Sequence, residues 1–198
     1  MTRTPVRAGS ALALALSLAL ALTSTALMTG CSNTVDKANA GLGYEPTTLS
    51  VDEARTKTKA VSSQIFDLIG IKDAKTTPAG TSISPNAKDP SHLFMVRHPW
   101  SVYGASDQEL EQGFLRLKEA LPQHGWKIKA YGPNSSPAKN LELTADSQDG
   151  PFSVNVVLAT AVDPAKNAPS ANNESGIIVH VVSAYFRAPE GTDLNGEN

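Results

Sequence analysis

Residues 141–156 read LELTADSQDGPFSVNV, and the period of two in this stretch decides the fold. Leu141, Leu143 and Ala145 alternate with Glu142 and Thr144. Phe152, Val154 and Val156 then alternate with Ser153 and Asn155. Successive side chains of a strand point to opposite faces, so each run buries one face and wets the other. Between them, Ser147-Gln148-Asp149-Gly150-Pro151 collects residues that form tight turns, so the two runs are read as an antiparallel hairpin.

Working outward, Trp126, Ile128 and Ala130 alternate with Lys127, Lys129 and Tyr131, a third half-buried strand that Gly132-Pro133-Asn134 and Ser135-Ser136-Pro137 separate from the hairpin by a loop. Gly176 to Phe186 is the last strand. Its Ile177, Ile178, Val179, Val181 and Val182 place apolar groups on both faces, which predicts a central strand covered on each side. Upstream, Ser106-Asp107-Gln108-Glu109 is a capping box that opens a helix with Leu110, Phe114, Leu117 and Leu121 on its core face. Pro122 shortens its last turn and Gly125 lies past its end. A second box, Ser50-Val51-Asp52-Glu53, opens a helix whose packed face is Val51, Ala54, Thr58, Val61, Ile65 and Leu68, ending at Gly70.

Leu93 to Tyr103 is apolar and aromatic enough for a strand, but Pro99 lacks the amide of a central ladder. That strand is therefore expected to be broken, bulged or at an edge. Residues 72–90 read as loop with room for one short strand. The sum is a single α+β domain over residues 50–188, an antiparallel meander of four to five strands with two helices packed on it. Residues 189–198 read as a loose polar tail.

The first thirty residues stand apart, for they contain no acidic side chain. The whole chain has 198 residues with 17 Lys+Arg and 19 Asp+Glu; setting aside Arg3 and Arg7 leaves 15 basic against 19 acidic groups, a charge of −4. Mild acidity without a basic run argues against a nucleic-acid partner. One Cys excludes an intrachain disulfide, a multi-cysteine zinc site and a dithiol redox pair, and no cofactor or metal is expected. Arg3 and Arg7 precede an uncharged stretch, Ala8 to Met28, with a Leu/Ala centre at residues 11–22. This is the layout of an export signal, the arginines staying on the cytoplasmic side.

The segment closes on Leu27-Met28-Thr29-Gly30-Cys31, which resembles the lipobox of bacterial lipoproteins, with Met28 standing where Leu is usual. The resemblance covers these thirty-one residues only. It implies cleavage between Gly30 and Cys31 by the prolipoprotein processing enzymes and a diacylglyceryl thioether on Cys31. The protein would then be held at the cell membrane, on its extracytoplasmic face. Two acyl chains bury enough methylenes, at about 0.8 kcal/mol each, to hold a protein stably. The Ala-, Thr- and Pro-rich composition likewise resembles lipoproteins of high-GC Gram-positive, actinobacterial species. Two other fates compete for this segment, an uncleaved membrane helix over residues 8–28 and cleavage with release. The break at Thr23-Ser24-Thr25 and the lack of a following Lys/Arg cluster weigh against the helix. Residues 32–49 read as a flexible tether with a root-mean-square span of about 25 Å.

No catalytic string survives inspection. Ser136-Pro137-Ala138-Lys139 matches the S-x-x-K of penicillin-recognising serine enzymes, but Pro137 and its neighbours indicate a loop, where that family needs a helix to bring Lys beside Ser. His92, His98, His124 and His180 share no ligand spacing. They read as surface or strand-end residues at 92 and 98, a helix-terminal residue at 124 and a hydrogen-bonded core residue at 180. Two surfaces remain as binding candidates. Lys127, Lys129 and Tyr131 would line one strand face, with Lys118 nearby, fit for an anionic envelope polymer or headgroups. Arg97, His98 and Trp100 adjoin the irregularity at Pro99. The expected function is a binding, interaction or envelope-structural module, with an envelope protein or polymer as partner. A small hydrolase-like enzyme and a carrier of an apolar ligand between helix and sheet are the alternatives.

Overall fold

The two α-helices among the described residues begin with the reciprocal cap their sequences encode. At α1 (Val51–Ile69) the Glu53 amide donates to Ser50 Oγ and the Ser50 amide donates to the Glu53 carboxylate; α2 (Asp107–Ala120) repeats this with Ser106 and Glu109. Each cap satisfies amides that no helix carbonyl can reach. α1 stops at Gly70, where φ is +61°, a left-handed conformation open to glycine. Arg116 of α2 finishes the stop, donating from Nε and Nη2 to the Ile69 carbonyl at 3.1 and 2.8 Å. A short 3-10 turn, Leu121–His124 with Pro122, ends α2 before Gly125.

The structure, a computed structural model, describes residues 40–78, 80–161 and 174–196. Among the described residues eight strands form one sheet: β1 (Lys75–Thr76), β2 (Ser82–Pro85), β3 (Leu93–Tyr103), β4 (Trp126–Pro133), β5 (Leu141–Ser147), β6 (Phe152–Ala159), β7 (Gly176–Ser183) and β8 (Phe186–Arg187). Their order is β1-β3-β7-β6-β5-β4, with β2 and β8 also on β3, and every ladder between them is antiparallel. β4 to β7 are the expected meander. The fold is α+β, with more strands than the four to five expected because the short pieces β1, β2 and β8 all pair with β3.

Both helices pack on one face of the sheet. Trp100, Val179, Val156 and Leu143 lie opposite one another across four strands, and with Ile65, Leu110, Phe114 and Leu117 they form the main core. A second cluster joins Val51 and Ala54 to Phe94, Phe186 and Leu194. On the other face no described element lies over β7: Ile178 and Val182 are half-buried and His180 is exposed. Cover on both sides, and a core role for His180, are thus overturned. The double-sided apolar pattern marks the centre of a one-sided sheet, where neighbouring strands alone shelter part of each side chain.

β3 runs unbroken through Pro99 with β7 on one flank, so the expected break is overturned, while the other flank is a local edge at the proline. The Thr77 amide donates to the Ser101 carbonyl, so odd-numbered residues of β3 direct their backbone groups away from β7. Pro99 is one of these, and it falls between the stretches of β3 that pair with β1 and with β2. The proline sits where the ladder on that flank is interrupted, so no central hydrogen bond is lost.

Three boundaries shift. On α1 the buried face runs through Ser62 and Ile69, with Val61 and Leu68 only half-buried. Of the expected tether, residues 44–49 follow the body: the Leu49 amide donates to the Arg187 carbonyl, the Arg187 amide to the Thr47 carbonyl, and the Tyr185 amide to Tyr44 Oη. The tail is not loose as far as Gly196, for Leu194 is buried in a short 3-10 turn against the second cluster.

Candidate functional site

The third and fourth turns of α1 and the β3 residues beneath them enclose an open cleft of about 520 Å³. Ser62, Phe66 and Trp100 form its inner part, and Thr76 and Thr77 stand at the sheet edge. Helical spacing lines Lys59, Ser62, Ser63, Phe66 and Asp67 along one side, about 12 Å from first to last at 1.5 Å per residue. The Phe66 ring meets the Trp100 indole edge to face, centroids 6.0 Å apart. Even-numbered residues of β3 face the helices, which puts His98 and Trp100 together on the cleft side.

Two polar features stand out beside the Phe66–Trp100 pair. Ser62, 4% exposed, lies 2.7 Å through Oγ from His98 Nδ1. The Trp100 indole N–H is buried and has no acceptor among the described residues. A buried donor left unpaired costs about 1–3 kcal/mol, so such groups are rare in a folded interior. The Ser62–His98 contact has the first element of a nucleophile–base arrangement. Asp67 stands on the rim of the same cleft. Charged residues mark the two ends of the wall, Lys59 at one and Asp67 at the other.

The two candidate surfaces are each divided by the sheet. Arg97 points to the open face while His98 and Trp100 face the helices, so the three are not one patch. The Lys127, Lys129 and Tyr131 strip is also corrected. The register of β4 on β5 slips between Ile128 and Ala130, leaving Lys129 as the extra residue of a bulge. Lys127 opposes Asp146 on the open face, and Lys129 Nζ lies 3.7 Å from the same Asp146 carboxylate. Tyr131 turns to the helix face, with its ring against Phe114 and Lys118 Nζ 4.5 Å from its centroid. Two of the three cations therefore meet an acidic neighbour rather than forming a basic surface.

The remaining histidines are separate. His92 Nδ1 is 2.6 Å from Asp89 at the surface, His124 ends the 3-10 turn, and His98 is half-buried on Ser62 rather than a surface or strand-end residue. Ser136 and Lys139 share a tight loop, the Lys139 amide donating to the Ser136 carbonyl and Ser136 Oγ to Asn134 Oδ1. Among the described residues no three His, Cys, Asp or Glu side chains converge, and no helix is long and apolar enough to cross a membrane. Gly30 and Cys31 lie outside the described residues. Ser62 and Phe66 were not singled out from the sequence; the available signal was Ser62 at core spacing between Thr58 and Ile65, since a serine there needs a partner.

No family model, no curated protein and no solved structure matches this chain.

Proposed function

We propose that this chain is a ligand-binding module tethered through Cys31 to the extracytoplasmic face of the cell membrane, with the α1–β3 cleft as its binding site. The observation that carries the site is the Trp100 indole N–H, buried without an acceptor among the described residues, on a side chain that lines an open cleft. A ligand acceptor would relieve that cost, and Phe66 and Trp100 would shelter the apolar part of the same ligand. The anchor rests on the arginine-led apolar segment ending in Gly30-Cys31. A carrier holding its ligand deep between helix and sheet is disfavoured, because Phe114, Leu117, Val154, Val156 and Val179 fill that space.

Both halves can be tested on the full chain. Trp100 and Trp126 are its two tryptophans, so each gives one indole N–H signal in nitrogen-15 NMR. A fragment carrying a ring and an amide carbonyl, such as phenylacetamide, is expected to move the Trp100 signal and leave that of Trp126 in place. Failure of a panel of such fragments to move it removes the cleft as a site. For the anchor, Cys31→Ala is expected to leave the membrane fraction, and mass spectrometry of the mature chain to find diacylglyceryl on Cys31. A variant that stays equally membrane-bound refutes lipidation as the tether.

A further inference from the structure

We propose that the ligand of this cleft is a short peptide in extended conformation, laid against the free edge of β1 with an apolar side chain on Phe66 and Trp100. The proposal rests on the cleft being a ligand site and adds the chemical class of the ligand. Three independent features support it.

The first is the backbone of the sheet edge. The Thr77 amide and side chain are engaged with Ser101 of β3, and in a strand the neighbouring residue directs its own N–H and C=O the opposite way. Thr76 therefore presents both groups outward, with no partner among the described residues, at the rim of the cleft. An unpaired edge beside a helix is a template on which a further strand can form main-chain hydrogen bonds. The second is length. The helical wall from Lys59 to Asp67 spans about 12 Å, which three to four extended residues fill at about 3.3 Å each. The third is charge. Lys59 and Asp67 sit at opposite ends of that wall, complementary to the carboxylate and ammonium of a free tripeptide, whose ends are about 10 Å apart. Between them, a peptide carbonyl is the kind of acceptor that the Trp100 N–H lacks among the described residues.

The test compares alanyl-phenylalanyl-alanine with phenylacetamide by NMR on the full chain. The tripeptide is expected to move the Thr76 amide and the Trp100 indole signals together. Thr76→Pro removes the outward amide and leaves the groups facing β3 in place; it is expected to weaken the tripeptide at least tenfold, while an unmoved Trp126 indole signal reports that the core is intact. Because a proline could disturb the edge, the same tripeptide N-methylated at phenylalanine probes the pairing from the ligand side and should also lose affinity. Asp67→Asn combined with Lys59→Gln should cost several-fold, an effect that shrinks as salt rises. If the tripeptide moves Trp100 but tolerates both Thr76→Pro and N-methylation, strand pairing is wrong and the cleft reading stands. If neither probe moves Trp100, both fall.

Discussion

A few side chains of this chain carry consequences out of proportion to their size. Glu53 and Glu109 are fully exposed, yet both carboxyls are held below their ordinary value of 4.5. At Glu53 the Ser50 amide is the leading cause and its hydroxyl the second; at Glu109 the Ser106 hydroxyl leads and the amide follows. A carboxyl with a depressed folded value adds stability that is present above the unfolded value and is lost as pH falls through the folded one. The double variant Glu53→Gln, Glu109→Gln is therefore expected to melt below the parent at neutral pH, and the gap to close well below pH 4.5. A gap of equal size at both pH values would show that charge in the caps contributes nothing. Ser62 and His98 make the complementary point: the sequence singles out His98 but not Ser62, and thirty-six positions apart they become hydrogen-bond partners in the wall of the cleft.

At the scale of elements, strand register governs what each face displays. A single extra residue in β4 parts Lys127 from Tyr131, so a strip that looks continuous in sequence occupies two faces of the sheet. The β3–β7 ladder is equally strict at Gly176, where a Cβ would stand 2.8 Å from the Val102 carbonyl oxygen. That oxygen belongs to the backbone of an inner strand and has little room to retreat. Gly176→Ala should accordingly destabilise the fold by about 1–3 kcal/mol, the usual cost of overpacking, despite the lower chain entropy of alanine. Urea titration of the two proteins measures it; an unchanged midpoint would mean that β7 yields at its first residue.

Across the whole molecule, the polar flanks prove to be parts of the body. Leu194 is 2% exposed against Val51, Ala54 and Phe186, so Leu194→Ala is expected to cost about 2–3 kcal/mol in thermal unfolding. A loose tail would give a change within about 0.5 kcal/mol. The docking of residues 44–49 also bears on the proposed anchor. It leaves residues 32–43 between Cys31 and the first bonded residue, at most about 43 Å of chain, which would set the greatest height of the domain above the bilayer.

The sequence by itself determined what is local: two capping boxes, the glycine that stops α1, the period-two runs of the meander, and the lipobox-like segment as an expectation. Each is written in residues within a few positions of one another, where propensity, capping and alternation act. Tertiary structure decided which face of β7 is open, where Pro99 could be tolerated, how the β4 bulge divides its lysines from Tyr131, and that Ser62, Phe66, His98 and Trp100 share one cleft. These depend on which strands become neighbours and in what register. Such contacts join residues far apart in the chain, and no pattern within either segment records its partner.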